Sequence, residues 1–169
     1  ADLLKKDARV IITSHDETLS VGGAERWEPR NNVLGVDRFT RELTEDDMCF
    51  LYGDVFYAEE TVSRIVNDES DESALFFGNE KSICAVLVRD GELFSSYVDR
   101  IREMFLAGEI AECKGWQVYH LHAGLPLESR EIGYTKAIVS SVAWAAILLV
   151  IEKMDYDWID DFTTIWLSL

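Results

Sequence analysis

The segment Leu51-Tyr52-Gly53-Asp54-Val55-Phe56 ends a continuous apolar run with a glycine and an aspartate. A glycine there lets the backbone turn tightly and lets a ligand come close. An aspartate after it offers the hard oxygen donor that Mg²⁺ prefers. The alternative is a turn aspartate that caps the next helix. Near the other end of the chain, Trp158-Ile159-Asp160-Asp161-Phe162 sets paired acids between aromatic and aliphatic residues. A carboxylate from this pair would complete a metal site if it converged with Asp54; otherwise the pair is a solvated turn. In Trp27-Glu28-Pro29-Arg30-Asn31-Asn32, an arginine and two amides can bind a phosphate, a ribose or a base edge, or the amides can cap a helix. His120 and His122 flank Leu121, which at strand spacing puts both on one side. With one more acid they would make a metal site, and without it they pack or face water. His15-Asp16-Glu17 is a less specific cluster. The patterns G-x-S-x-G, G-x-x-x-x-G-K-[ST] and G-x-G-x-x-G are all absent, which disfavours a serine nucleophile elbow, P-loop hydrolysis and ordinary dinucleotide binding.

Composition narrows the partners. The chain has 169 residues, 32 acidic and 16 basic, with a formal net charge of −16. That field repels phosphate backbones and anionic membrane surfaces, so nucleic acid is not expected as a partner. Nucleotides remain open if a divalent metal screens their charge. Hydrophobic residues make up 48% of the chain, enough for a real core. Three widely spaced cysteines, Cys49, Cys84 and Cys113, show no pairing pattern and no CxxC. They read as buried thiols in a reducing, cytoplasmic setting. The start, Ala1 to Arg9, holds no signal-peptide core. The longest apolar run, Val142 to Ile151, is shorter than the roughly 20 residues that a membrane helix needs.

These residues must be positioned by the elements around them. Arg9 to Thr13 and Met48 to Tyr52 read as strands, the second buried on both faces. Ser14 to Asn32 reads as one long loop, and Val33 to Leu43 has helical spacing. Ala58 to Val66 reads as a helix with Glu59 and Glu60 in its first turn, so Asp54 falls in a strand-to-helix connection. Ala74 to Phe77 and Ile83 to Val88 follow as strands, Leu93 to Leu106 as a helix and Trp116 to Leu121 as a strand. Gly124 to Ile132 reads as a loop, Tyr134 to Met154 as the strongest helix, and Phe162 to Leu169 as a last short segment. Alternating strands and helices predict a single α/β domain. Its expected form is a three-layer α/β/α sandwich around a mostly parallel, mixed sheet. In such sheets ligands sit at the carboxyl ends of the strands, which points at Gly53 and Asp54.

The stretch Glu45 to Ile65, EDDMCFLYGDVFYAEETVSRI, resembles the central segment of sugar-phosphate nucleotidyltransferases and their MobA-like relatives. In that superfamily an apolar strand ends in Gly-Asp, and the aspartate binds Mg²⁺ beside the nucleotide phosphates. The resemblance implies a Rossmann-like, GT-A-type fold over residues 1–169, with Mg²⁺ or Mn²⁺ held by Asp54. WIDDFT, from Trp158 to Thr163, is similar to the family's second acidic phrase, with Asp161 the better match and Asp160 the fallback. Glu28 to Phe39 is loosely similar to the family's asparagine-containing segment. That makes Arg30, Asn31, Asn32 and Gly53 the implied substrate-binding residues, and Arg9 to Ser14 looks like the family's second strand. The implied reaction transfers a nucleoside monophosphate from a nucleoside triphosphate to a sugar phosphate or similar phosphorylated acceptor, releasing pyrophosphate. Arg30 or Arg26 would face the leaving group. The family's opening glycine-rich loop, with its arginine and lysine, has no counterpart before Arg9. The expectation is therefore that the chain lacks its N-terminal part, that the loop comes from elsewhere, or that the domain no longer transfers nucleotides.

Two other functions compete. A Mg²⁺-dependent phosphohydrolase would use Asp54 as nucleophile, but the position of its usual second aspartate is Phe56. A phospho-acceptor variant would draw on Glu45-Asp46-Asp47, which stand at the wrong end of the strand. A non-catalytic acidic α/β interaction module is the other alternative.

Overall fold

Met48–Tyr52 is a strand with every residue buried, as its unbroken apolar run requires. In the computed structural model of the protein, which describes residues 8–19, 22–78, 82–128 and 164–168, it lies inside a six-stranded sheet. The strands are β1 (Arg9–Thr13), β2 (Glu25–Trp27), β3 (Met48–Tyr52), β4 (Ala74–Gly78), β5 (Ile83–Val88) and β6 (Thr164–Ser168). Their order across the sheet is β2-β1-β6-β3-β5-β4. Among the described residues the helices are α1 (Glu59–Val66), α2 (Gly91–Leu106) and α3 (Gly115–Ala123). The protein is thus a small α/β protein. Among the described residues no helix is long and apolar enough to cross a membrane.

The sheet is mixed, but its neighbours are not mostly parallel as expected. Among the described strands only β1 and β2 pair in parallel, while β1–β6, β3–β6, β3–β5 and β4–β5 are antiparallel. One cause is chain length. Only a short connection separates β4 from β5, and a parallel neighbour needs a crossover of roughly a dozen residues or more.

Side-chain alternation along β3 and β5 splits the core. Met48, Phe50, Val86 and Val88 face one cluster, which includes Phe94 and Ile101 of α2 and Val118 of α3. Cys49, Leu51, Ala85 and Leu87 face the other, with Ile65 of α1. Phe39, Phe50 and Phe94 anchor the first cluster with edge-to-face packing at 5.2 and 5.1 Å between ring centroids. That geometry matches the quadrupoles of the rings.

Other expectations need correction. Trp116 to Leu121 is not a strand but the body of α3. Its alternation of ring and aliphatic residues is a coincidence of a helix buried on most sides, where period-2 and period-3.6 patterns merge. Gln117 Oε1 accepts the Lys114 N–H at 2.8 Å at its start, and Gly124, at φ +66°, ends it in the left-handed region. Val33 to Leu43 forms two short 3₁₀ turns, Gly35–Phe39 and Arg41–Leu43, because Thr40 between them sits at φ +32°. The Ser14 to Asn32 loop contains β2, whose three residues are too few and too charged to register as a strand. The predicted helix from Tyr134 to Met154 lies outside the described residues.

Candidate functional site

Strand directions define the edge that matters. β1 and β3 both run antiparallel to β6, β2 runs with β1, and β4 runs with β3 through β5. The carboxyl ends of β1, β2, β3 and β4 therefore share one edge with the start of β6. Thr164, the first residue of β6, pairs with both Thr13 and Tyr52. Asp161 and Asp160 lie outside the described residues.

At this edge Tyr52-Gly53-Asp54-Val55 makes a turn closed by the Val55 N–H on the Tyr52 carbonyl at 3.2 Å. Gly53 and Asp54 are both exposed. Gly53 is outside the left-handed region, so what it supplies is the missing side chain. Asp54 does not cap α1: the N-cap is Ala58, with no side-chain cap. Among the described residues no hydrogen bond or ion pair engages the Asp54 carboxylate. The capping alternative is removed, and an unshared carboxylate remains at the end of a buried strand.

The loop that carries Asp54 is fixed by Tyr57. The Tyr57 hydroxyl accepts the Tyr52 N–H at 2.9 Å and donates to the carbonyl of Cys84 on β5. Burial holds the phenol protonated, with its pKa raised, and the nearby Cys84 thiol adds to that. Burial likewise pushes the Cys84 thiol up to about 12, and the charge of Asp54 contributes in the same direction. The register of β3 on β5, with Leu51 opposite Ala85, brings the carboxyl end of β3 to the start of β5.

Arg38, brought in by the first 3₁₀ turn, lies with its guanidinium 4.6 Å from the centroid of the Tyr52 ring. A Cβ at Gly115 would meet the Arg38 Cδ at 3.1 Å, so the start of α3 packs directly on this arginine. Arg30 and Arg26 are the cations expected from the sequence, whereas nothing in the local spacing of Arg38 marks it. Arg26 is occupied elsewhere: its Nη2 donates to the carbonyls of Ser14 and His15 at 3.3 and 3.4 Å. His15 in turn meets Glu28 at 3.2 Å. Arg30 is exposed, with its N–H on Glu42 Oε1 at 2.9 Å.

Asn31 and Asn32 are exposed and, among the described residues, cap no helix. The carboxylate of Asp37, held by Arg102, takes the N–H groups of Val33 and Leu34 at 3.1 and 2.9 Å instead. His120 is fully buried, between the rings of Trp116 and Tyr119 and against the Pro126 carbonyl. His122 packs on Phe76 and Tyr97. On a helix, residues two apart do not share a face, so the expected pair of histidines does not form.

A cavity of about 170 Å³, lined by Arg9, Ile11, Leu43 and Met48 among others, opens at the opposite edge of the sheet. It is remote from Asp54, and its Arg9 is committed to Glu25 at 2.7 Å.

Among the described residues no group of three or more His, Cys, Asp or Glu side chains converges to hold a metal. Mg²⁺ needs fewer protein ligands than that. It is commonly held by one or two carboxylates together with substrate phosphates and water. Asp54 fits that donor chemistry as one such ligand.

No family model matches the chain, and neither a curated protein nor a solved structure matches it.

Proposed function

We propose that the protein is a Mg²⁺- or Mn²⁺-dependent nucleotidyltransferase. It moves a nucleoside monophosphate from a nucleoside triphosphate to a sugar phosphate or similar phosphorylated acceptor. The observation that carries this reading is Asp54: exposed, unpartnered among the described residues and not a cap, at the carboxyl end of a fully buried strand. β1, β2, β3 and β4 all end at this edge, and in parallel α/β sheets ligands sit at the carboxyl ends of the strands. Core clusters on both faces of the sheet support the layered, GT-A-type form of the same proposal.

Asp54 would hold the cation, with Asp161 as its partner and Asp160 as the fallback. Thr164, three residues beyond Asp161 in sequence, stands beside Tyr52 at the same edge. When bound, the cation would neutralise charge on the phosphate oxygens. Gly53 would leave room for a phosphate against the backbone, and Arg30, Asn31 and Asn32 would contact the nucleotide. Arg38, stacked on Tyr52, would add positive charge near the leaving group in a chain that is otherwise strongly acidic. An acceptor phosphate oxygen attacks the α-phosphorus, the bond from that phosphorus to the bridging oxygen breaks, and pyrophosphate leaves with the electron pair. Alignment of the reactants and charge stabilisation would supply the rate.

A Mg²⁺-dependent phosphohydrolase is less well supported, because the residue two beyond Asp54 is an exposed phenylalanine. A non-catalytic interaction module is the other alternative. Assay of pyrophosphate release separates these readings. With Mg²⁺, a sugar phosphate and each nucleoside triphosphate in turn, the wild type releases pyrophosphate with at least one nucleotide, and Asp54→Ala does not. Absence of release with every nucleotide overturns the transferase.

A further inference from the structure

Phe56 is 60% exposed. Single exposed apolar residues are ordinary on protein surfaces, and Val33 and Leu106 are such residues here. Phe56 differs in what holds it. On one side Val55 packs against the larger core cluster and closes the turn to Tyr52. On the other, the Tyr57 hydroxyl is tied to both β3 and β5. The backbone is therefore fixed on either side of a ring left in water, two residues from Asp54. Two residues of chain span about 7 Å at most, the scale on which a ribose separates a base from its α-phosphate.

We propose that Phe56 is a stacking platform for the nucleobase of the nucleotide whose phosphates lie at Asp54. The inference rests on the nucleotidyltransferase reading of this edge. Of the groups in the proposed substrates, the nucleobase alone is a flat π system, and aromatic side chains stack on such faces. A phenyl ring has no hydrogen-bonding group, so it holds any base without reading its edge. Because the loop is fixed before binding, little conformational freedom is lost when the base arrives.

Calorimetric titration with two probes tests this: a nucleoside triphosphate with Mg²⁺, and inorganic triphosphate with Mg²⁺. The proteins are wild type, Phe56→Ala, Phe56→Trp and Asp54→Ala. Phe56→Ala should weaken the nucleoside triphosphate by roughly 5- to 150-fold and leave inorganic triphosphate unchanged. Phe56→Trp should retain both, and Asp54→Ala should weaken both. If Phe56→Ala binds the nucleotide like wild type, or loses inorganic triphosphate equally, the platform is overturned while the reading of Asp54 stands. If the wild type binds neither probe, the reading of the whole edge falls.

Discussion

The two ends of β3 carry acids that have opposite fates. At its amino end, Asp46 accepts the N–H of Gly91 at 2.8 Å, and Asp47, at φ +52°, pairs with Arg89 at 3.1 Å. These carboxylates fasten the strand to the start of α2 and to the end of β5. At the carboxyl end, Asp54 fastens nothing among the described residues, and Tyr57 holds the loop in its place. The same residue type at two ends of one buried strand is structural at one and open at the other. A carboxylate that folding does not use, on a loop that folding does fix, is what a ligand site requires.

Substitutions sharpen that contrast. Gly91→Ala should have the largest effect on stability. Its Cβ would stand 2.5 Å from the Glu45 carbonyl carbon. Overpacking against backbone costs about 1–3 kcal/mol, which for a chain of this size lowers Tm by roughly 2–12 °C. A wild-type Tm for Gly91→Ala would break the account of the amino end. Tyr57→Phe removes the partner of a buried N–H and should cost roughly 1–3 kcal/mol. Urea unfolding measures it, and the same variant should bind Mg²⁺ with nucleotide more weakly, because Asp54 and Phe56 lose their anchor. Asp46→Ala should cost about 1 kcal/mol, the worth of one hydrogen bond, and leave nucleotide binding alone. Asp54→Asn should change stability by less than about 0.5 kcal/mol.

Alkaline pH probes the carboxyl end separately. In the folded protein burial holds the Cys84 proton until about pH 12, against an ordinary value of 9.0. Above pH 9 the unfolded chain therefore binds fewer protons than the folded one. The contribution of Cys84 to stability is whole below pH 9 and falls as pH rises toward 12, by up to about 1.4 kcal/mol per pH unit. Tyr57, also raised by burial, acts in the same direction. Denaturant midpoints measured across this range should fall, and Cys84→Ala should flatten part of the decline.

Much of this was legible in the chain. Strands β1, β3 and β5 follow from apolar runs too short and too continuous to be anything but buried, and α1 and α2 from their spacing. The place of Asp54 at the end of such a run was readable from the sequence. Its freedom from a capping role was not, because that depends on α1 starting at Glu59 behind Ala58. Helix α3 was illegible as a helix, since it is buried on most sides and keeps no polar stripe. The Tyr57 anchor was invisible because its partner carbonyl on Cys84 is 27 residues away. Arg38 was missed for a similar reason: only the 3₁₀ turn, interrupted at Thr40, brings it over Tyr52.

Asp54 is, on the reading proposed above, the ligand-binding acid of this edge. Thermal unfolding of wild type and Asp54→Ala, with Mg²⁺ and each nucleoside triphosphate, tests it most directly. At about 100 times its dissociation constant a ligand adds roughly 2.7 kcal/mol, which raises Tm by roughly 5–11 °C at this size. Such a rise is expected for at least one nucleotide, dependent on Mg²⁺ and absent in Asp54→Ala. An equal rise in both proteins, or no rise in the wild type with any nucleotide, would contradict it.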